Sequence, residues 1–274
     1  MSSITALRHA QSTNATYTDV MSSLQTVEIN SIDLCNRACS FCPHGSPELY
    51  PNKNLKMSLS TIIVIANHLS AVNYANRVSF TGFGEPFLNK KLALFIKTIK
   101  ELNPAIKWME VNTNGDFITR ANTKILINAG CSHLTISMYD RDVSVQINKL
   151  LYNLPIVVTF KHLYTAPGSL VSRIDIVRST NLLNLNKQCY VPFYKMFIDW
   201  DGSVLLCNND WGREGVIDNV HNQSIKDIWL SDKFFSYREM LHNYSRTNSP
   251  CNKCDIAGTL YGASSVDVLT NFVK

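Results

Sequence analysis

Strand-like and helix-like segments alternate up to about residue 163, and this alternation constrains the fold more than any other feature of the sequence. The strand-like segments are short and apolar, whereas the segments between them carry apolar residues at helical spacing. Strands separated by helices pair in parallel, so the pattern predicts an α/β fold with a partial barrel of βα units. The predicted strands are residues 25–32, 77–81, 107–112, 133–138 and 154–163, and the predicted helices are residues 58–69, 92–102, 119–129 and 143–152.

Three cysteines follow the first predicted strand directly, as Cys35, Cys39 and Cys42 in C-x3-C-x2-C spacing. In a parallel sheet this loop lies at the C-terminal end of the strand, where α/β barrels keep their active sites. Three neighbouring thiolates can hold one face of an iron–sulfur cubane and leave the fourth iron open to a second molecule. A zinc site is the alternative, and His44 would then have to supply the fourth ligand.

Two further strand ends carry turn sequences that suit a ligand pocket. Residues 82–86 read Gly-Phe-Gly-Glu-Pro after the second predicted strand, and residues 112–115 read Asn-Thr-Asn-Gly after the third. Glycine allows a close approach of the backbone, and a carboxylate can bind an ammonium group. An ordinary βα turn favours the same residue types, so the position after the cysteine loop is what makes these motifs informative.

Together these motifs resemble those of the radical S-adenosylmethionine (SAM) superfamily. The resemblance implies an incomplete (β/α)6 barrel in which a 4Fe–4S cluster binds SAM and cleaves it to a 5′-deoxyadenosyl radical. It implies that Phe41 lies beside the adenine and that Glu85 holds the turn or the amino group of SAM. For Lys161 a contact with the SAM carboxylate competes with an ordinary solvated lysine. The residues that the resemblance places against SAM are Phe41, Gly82, Gly84, Glu85, Asn112, Ser137 and Lys161.

Four cysteines in the last third of the chain form a second candidate metal site: Cys189, Cys207, Cys251 and Cys254. The dipeptide Asp201-Gly202 predicts a hairpin that ends at Cys207, and the last two cysteines form a C-x2-C knuckle. Four thiolates can bind zinc or a fully ligated 4Fe–4S cluster, and spacing alone does not separate these. The region resembles the SPASM and Twitch extensions of radical SAM enzymes, which implies one auxiliary 4Fe–4S cluster.

Composition excludes several classes of protein. The chain has 274 residues, of which 45% are hydrophobic, enough for one large domain or for a large and a small one. The net charge of +5 comes from scattered basic residues, which do not indicate a nucleic-acid surface. No apolar run reaches the length of a membrane span.

Cysteines at metal-ligand spacing, without a signal peptide, favour a reducing cytoplasm. The eighth cysteine, Cys131, is expected to be a small buried thiol.

The domain prediction has four parts. It comprises a flexible leader at residues 1–24, the radical SAM partial barrel at 25–175, a small Twitch domain at 176–260 and a C-terminal tail at 261–274.

The resemblance also implies a reaction and partners. It points to a Twitch-type dehydrogenase that oxidises a secondary alcohol on a small amino sugar or cyclitol by two electrons. An arginine can hydrogen-bond the reacting hydroxyl, which makes Arg173 and Arg178 the candidate catalytic residues. Further candidates at the catalytic edge are Tyr139, Asp140, His162 and Asp210. A flavodoxin- or ferredoxin-type electron donor and a monomeric state are expected. Two alternatives stay open, a radical SAM maturase of a ribosomally made peptide and a non-catalytic, zinc-bearing interaction module.

Overall fold

The computed structural model describes residues 19–139, 142–163, 186–254, 256, 258 and 260–272. One sheet of eight strands organises this part of the chain, in the order β5-β4-β3-β2-β1-β6-β7-β8. The first six strands pair in parallel, and β7 joins β6 and β8 in antiparallel pairs. The strands are β1 Thr26–Ile29, β2 Arg77–Phe80, β3 Trp108–Thr113, β4 His133–Met138, β5 Val157–His162, β6 Lys195–Ile198, β7 Ser203–Leu205 and β8 Val216–Asn219. The predicted parallel barrel and the predicted hairpin are both confirmed, and they share one sheet.

Helices follow the strands of the barrel and continue beyond it. Within the described ranges they are α1 Leu59–Ala71, α2 Leu92–Leu102, α3 Arg120–Asn128, α4 Ser144–Leu150, α5 Val191–Tyr194, α6 Ile225–Trp229, α7 Asp232–His242 and α8 Ala263–Phe272. Of these helices, none combines the length and the hydropathy needed to cross a lipid bilayer.

Local sequence signals set the helix starts. Ser58 precedes α1, and its Oγ accepts a hydrogen bond from the Thr61 amide at 3.0 Å. Thr119 precedes α3 and forms a capping box with Asn122, so that each side chain satisfies the other residue's backbone amide. These caps lie where the sequence predicts helix starts, because capping depends on neighbouring residues alone.

The two faces of the central sheet differ in chemistry. Alternate residues of a strand share a face, and one set in β1 and β2 belongs to the main hydrophobic core: Val27, Ile29, Val78 and Phe80. The other set forms buried ion pairs between neighbouring strands, Arg77 with Glu110 and Lys195 with Glu28. Thr135 Oγ1 also donates to Glu110 Oε1 at 2.6 Å. Because alternate residues of a strand share a face, this polar face continues to the C-terminal ends of the strands.

The C-terminal segment packs against the start of the described chain. A tail was predicted for residues 261–274, and within it α8 buries Val266, Val268 and Leu269. Ser265 Oγ donates to the Ser23 carbonyl at 2.8 Å, in the 3₁₀ turn Val20–Ser23. That turn lies inside the predicted leader, yet Met21 and Leu24 are buried. The predicted domain boundary at residues 175 and 176 lies outside the described residues.

Candidate active site

A cavity opens at the C-terminal ends of β1 to β4. Its volume is about 650 Å³ when the space open to solvent at its mouth is included. The three cysteines of the first motif line it, and so do most of the residues predicted to contact SAM. These lining residues include Cys35, Cys39, Cys42, Phe41, Gly82, Gly84, Glu85, Asn112 and Ser137. The structure therefore brings together, from four separate strand ends, the side chains that sequence motifs had grouped.

Glu85 holds two turns of this cavity together through three hydrogen bonds. Its Oε1 accepts hydrogen bonds from Thr113 Oγ1 at 2.7 Å and from the Phe87 amide at 3.0 Å, and its Oε2 accepts from the Asn114 amide at 2.8 Å. The side chain is 3% exposed, and burial raises its pKa while these three bonds oppose the rise. Of the two roles predicted for Glu85, the structure shows it holding the turn after β3.

Glycine is required where the second motif meets the cysteine loop. The Glu85 amide donates to the Leu34 carbonyl at 2.9 Å, which draws the two loops together. A Cβ on Gly84 would lie 2.3 Å from the Ile32 carbonyl oxygen, so the backbones pass too closely for any side chain. Gly82 adopts φ +147, and a Cβ there would meet the side chain of Asn30 at 2.6 Å.

Side-chain amides and an ion pair fix the cysteine loop from two sides. Asn52 Oδ1 accepts from the Cys35 amide at 3.0 Å, and Asn52 Nδ2 donates to the Cys35 carbonyl at 2.7 Å. On the barrel side, Asp116 accepts from Arg37 Nε and from Asn36 Nδ2, both at 2.7 Å. The cysteine loop is thus held between Asn52, in the segment that leads to α1, and the turn after β3.

The polar wall of the cavity comes from β2 to β5. The amide of Asn112 satisfies its neighbours when its oxygen accepts from Lys161 Nζ at 3.0 Å and from Thr81 Oγ1 at 3.3 Å. In that orientation its nitrogen donates to the Thr135 carbonyl at 3.2 Å. Ser137 lies beside Asn112, with 3.4 Å between the Ser137 hydroxyl and the side-chain amide. Lys161 is therefore tied to this wall, although it does not line the cavity itself.

An aromatic group that sequence reasoning missed joins this cavity to the C-terminal region. Trp211 lines the cavity, and its ring lies 4.5 Å from Phe83 and 5.0 Å from Tyr50, centroid to centroid. His44 packs edge-on against Trp211 and donates from Nε2 to the Phe83 carbonyl at 2.8 Å. Burial lowers the pKa of His44. One sequence feature could have predicted this contact. Trp211 follows Cys207 closely, and a loop that carries a candidate metal ligand is expected to lie near a functional site.

The four later cysteines form a second group. Burial raises the pKa of Cys207 well above its usual value, and the charges of Cys251 and Cys254 raise it further. Burial likewise raises the pKa of Cys251 to about 12, and Cys254 and Cys189 act in the same direction. Cys251 is thus within electrostatic reach of the other three cysteines of this group.

Both groups fit the iron–sulfur clusters that the motifs imply. Burial raises the pKa of Cys35 to about 11, with smaller contributions from Glu85, Cys42 and Cys39. Buried thiols that raise each other's pKa become stable thiolates once a metal compensates their charge. Within the described ranges no three His, Cys, Asp or Glu side chains have the mutual geometry of a metal site. The fit of the first group therefore rests on the cavity that its cysteines line, and the fit of the second group on the electrostatic contacts among its cysteines.

Other predicted candidates have different surroundings. The Cys131 thiol is buried and donates to the carbonyls of Met109 and His133, as expected for a structural thiol. Asp210 accepts from the amides of Glu214 and Gly215, so it holds a turn. The Tyr139 ring packs 5.1 Å from Phe41 at the cavity, and His162 is exposed at the end of β5. The residues Asp140, Arg173 and Arg178 lie outside the described residues.

Comparison with known families accounts for both cysteine groups. A family model of the radical SAM superfamily matches residues 29–146, and the SPASM iron–sulfur cluster-binding domain matches residues 189–255. The chain therefore carries a radical SAM domain followed by a SPASM-type iron–sulfur domain. As a radical SAM enzyme with a SPASM-type region, it uses SAM and 4Fe–4S clusters, as its sequence motifs predict. The non-catalytic zinc module considered above is thereby excluded.

Individual relatives match over different lengths. The chain is 29% identical to the S-adenosyl-L-methionine-dependent 2-deoxy-scyllo-inosamine dehydrogenase of Niallia circulans, over 86% of this chain and 94% of that enzyme. It superimposes on the crystal structure of BtrN in complex with AdoMet and 2-DOIA with a TM-score of 0.74 at 25% identity, covering 87% of this chain and 96% of that one. A GTP 3′,8-cyclase of Campylobacter jejuni is 31% identical, but over only 41% of this chain and 34% of the cyclase.

Proposed function

We propose that this radical SAM enzyme is a dehydrogenase that oxidises a secondary alcohol of an aminocyclitol or amino sugar to a ketone. The observation that carries the proposal is the single cavity that gathers the three-cysteine loop, the Gly-Phe-Gly-Glu-Pro turn and the polar ends of β3 and β4. The likeness to the Niallia circulans dehydrogenase supports the substrate class, because it covers 86% of this chain and 94% of that enzyme, which is more than the barrel alone.

Different residues of the chain bind the two clusters and SAM. Cys35, Cys39 and Cys42 hold the SAM cluster, and Cys189, Cys207, Cys251 and Cys254 hold the auxiliary cluster. Phe41, already packed on Tyr139, provides a surface for the adenine. Gly82 and Gly84 keep the cavity wall free of side chains, and Glu85 fixes its shape. Asn112 and Ser137 face the ribose and carboxylate of SAM, and Lys161 acts on them from outside the cavity lining by donating to the Asn112 amide oxygen.

The oxidation removes a hydrogen atom, a proton and an electron from the carbinol. A cluster on Cys35, Cys39 and Cys42 would supply the electron for SAM cleavage, and a cluster on the four later cysteines would accept the electron that leaves the substrate. The hydroxyl proton must pass to a residue or to water. Arg173 and Arg178 remain our proposals for hydrogen-bonding that hydroxyl, since a guanidinium stabilises developing negative charge on oxygen.

A small hydrophilic substrate suits the walls of this cavity. Thr81, Asn112, Thr113 and Ser137 contribute polar side chains on one side of it. A polyhydroxylated ring can exchange its hydrogen bonds with water for bonds to such groups, which an apolar wall does not offer. This match favours a cyclitol over a peptide with bulky apolar side chains.

We further infer an electron donor of the flavodoxin or ferredoxin type, a monomeric state and a cytoplasmic location. A net charge of +5 favours encounter with an acidic donor through electrostatic steering. All eight cysteines are free thiols, which suits a reducing compartment.

The reaction is tested with anaerobically reconstituted protein, SAM and a chemical reductant. The substrate is 2-deoxy-scyllo-inosamine in one arm and a panel of other aminocyclitols in the second. We expect 5′-deoxyadenosine and a ketone in equal amounts, with deuterium from the carbinol carbon recovered in 5′-deoxyadenosine. Release of 5′-deoxyadenosine without a ketone from any cyclitol would contradict the dehydrogenase proposal.

The cluster assignment is tested by iron and sulfide analysis of the same preparation. We expect about eight irons per chain in the wild type and about four when Cys35, Cys39 and Cys42 are replaced by alanine. Replacing Cys131 by alanine serves as the matched control and should leave the iron content unchanged. A stoichiometric zinc content would instead assign the second group to a structural zinc site.

A further inference from the structure

Arg246 binds the backbone on both sides of the second cysteine group. Its Nε donates to the Lys187 carbonyl at 3.0 Å, just before Cys189, and its Nη1 donates to the Ile256 carbonyl at 2.7 Å, just after Cys254. The side chain is buried, with the residue 3% exposed. Gly258 makes room for it, because a Cβ there would lie 2.8 Å from Arg246 Nη2.

The charge of Arg246 has no carboxylate partner among the residues that the structure describes. Its Nη2 is buried without a hydrogen-bond acceptor there, although a guanidinium remains charged in proteins. Burying a charge costs several kcal/mol unless another charge compensates it. The nearby group that its charge acts on is a cysteine: burial dominates the raised pKa of Cys251, and Arg246 acts to lower it.

A four-thiolate cluster would supply the missing negative charge. Four cysteine thiolates outweigh the positive charge of an iron–sulfur core, so the bound cluster is a net anion in this buried region. The other charged group acting on both Cys207 and Cys251 is Asp210, which is acidic. The reduction potential of an iron–sulfur cluster depends on nearby charge, hydrogen bonds and solvent exposure. A fixed cation at this position favours the reduced, more negative state.

We propose that Arg246 is the charge-compensating residue of the auxiliary cluster and holds its reduction potential high enough to accept the substrate's electron. The proposal rests on the proposed function, since it presumes an iron–sulfur cluster at the second cysteine group. Arg246 acts on the cofactor through its charge and by bracketing the ligand-bearing segments. It is a positioning residue and contacts no substrate in this scheme.

The test measures the potential of the auxiliary cluster alone. The full-length chain with Cys35, Cys39 and Cys42 replaced by alanine is reconstituted with iron and sulfide and titrated under EPR detection. In that background we expect Arg246→Gln to lower the equilibrium constant for one-electron reduction about tenfold, equal to about 59 mV. Arg246→Lys keeps the charge and should stay within about threefold of the parent, or about 28 mV.

Arg238 offers a matched control. It is also buried, and it also donates to two carbonyls, those of Pro192 and Trp229. Unlike Arg246, it is not among the groups whose charge shifts the pKa of Cys251. Arg238→Gln should therefore leave the potential unchanged, whatever it does to stability.

The outcomes separate the two proposals. If the triple-alanine background binds no iron, the auxiliary cluster itself is refuted. If Arg246→Gln loads its cluster and the potential does not move, the role of Arg246 is refuted. If Arg246→Gln loads no iron, Arg246→Lys decides: a loaded cluster near the parent potential supports charge compensation, and equal loss of iron shows that only the hydrogen-bonded frame matters.

Discussion

Arg213 Nε lies 2.6 Å from Asp199 Oδ2, and this contact joins the loop after Cys207 to the end of β6. The same guanidinium donates to Tyr50 Oη at 2.7 Å and to Asp33 Oδ1 at 3.2 Å, just before the first cysteine motif. Its backbone is left-handed, with φ +54, which is uncommon outside glycine. One arginine therefore ties the two cysteine-bearing regions together.

Replacing Arg213 by methionine removes the cation and leaves two buried carboxylates without it. Asp33 and Asp199 are 2% and 1% exposed, so their charges are screened poorly by solvent. We expect the free energy of unfolding of the iron-free chain to fall by about 2–4 kcal/mol in urea denaturation. Lys97→Met is the control, because the Lys97–Glu101 pair is exposed and should change stability by less than about 0.5 kcal/mol. Equal effects of the two changes would refute the interpretation.

Glu85→Gln tests the three hydrogen bonds that hold the turns of the SAM cavity together. The substitution places an amide NH₂ opposite groups that themselves donate, so at least one of the three hydrogen bonds is lost. We expect the Kd for SAM, measured by equilibrium dialysis with reconstituted enzyme, to rise about tenfold, or about 1.4 kcal/mol. Glu48→Gln, at an exposed position in the loop after the first cysteine motif, should not change it. An unchanged Kd for Glu85→Gln would show that the turn holds its shape without the carboxylate.

Gly84→Ala tests the close approach of the two cavity loops. The added methyl group would meet the carbonyl oxygens of Ile32 and Leu34 at 2.3 and 2.6 Å, so the loops must separate. We expect the iron content after reconstitution to fall by about four per chain, the amount of one 4Fe–4S cluster. At Gly212 the nearest atom is the end of the flexible Glu214 side chain at 3.1 Å, so Gly212→Ala should retain full iron. Full iron in Gly84→Ala would contradict the steric argument.

Glu110→Gln tests the ion pair on the polar face of the sheet through its pH dependence. Burial opposes ionisation, yet the charge and hydrogen bond of Arg77 lower the pKa of Glu110 from 4.5 to about 2. A lowered pKa in the folded state stabilises the protein fully above about pH 4.5, and this contribution is lost as pH falls towards 2. The variant should be less stable by about 3–5 kcal/mol at pH 7 because Arg77 stays buried without its partner.

The same stability difference should shrink as urea denaturations are moved from pH 7 to pH 3. Glu101→Gln, on the exposed end of α2, gives the comparison and should show little difference from the wild type at any pH. A gap between Glu110→Gln and the wild type that stays constant below pH 4.5 would show that Glu110 is not the titrating group.

The sequence predicts most of what depends on neighbouring residues. Helix α2 and strand β4 fall on their predicted bounds, and Ser58 and Thr119, the first residues of two predicted helices, cap α1 and α3, because periodicity and capping are local properties. The cysteine loop and the Gly-Phe-Gly-Glu-Pro turn were likewise found as motifs, and parallel pairing brings them to one edge. What periodicity does not give is the contact between segments far apart in the chain.

Three misses illustrate that limit. The contacts of Trp211 and Arg213 depend on a loop meeting residues more than a hundred positions earlier, so no local pattern announces them. The carboxylate of Glu85 was left with two roles because two of its three donors, Thr113 and Asn114, come from a different turn. Helix α8 did carry a signal, since Val266 and Leu269 are spaced for one buried face, but its partner is the distant turn at Ser23.

Strand β1 pairs with β2 on one edge and with β6 on the other. A ribosome making this chain therefore releases β1, β2 and their helices long before the residues of β6 exist, and one edge of the central strand stays open meanwhile. Such an edge can recruit strands from other nascent chains. Recombinant yield should thus depend on how quickly the stretch up to residue 198 is translated, and slowing synthesis there should send more of the product into inclusion bodies even though the finished enzyme is unchanged.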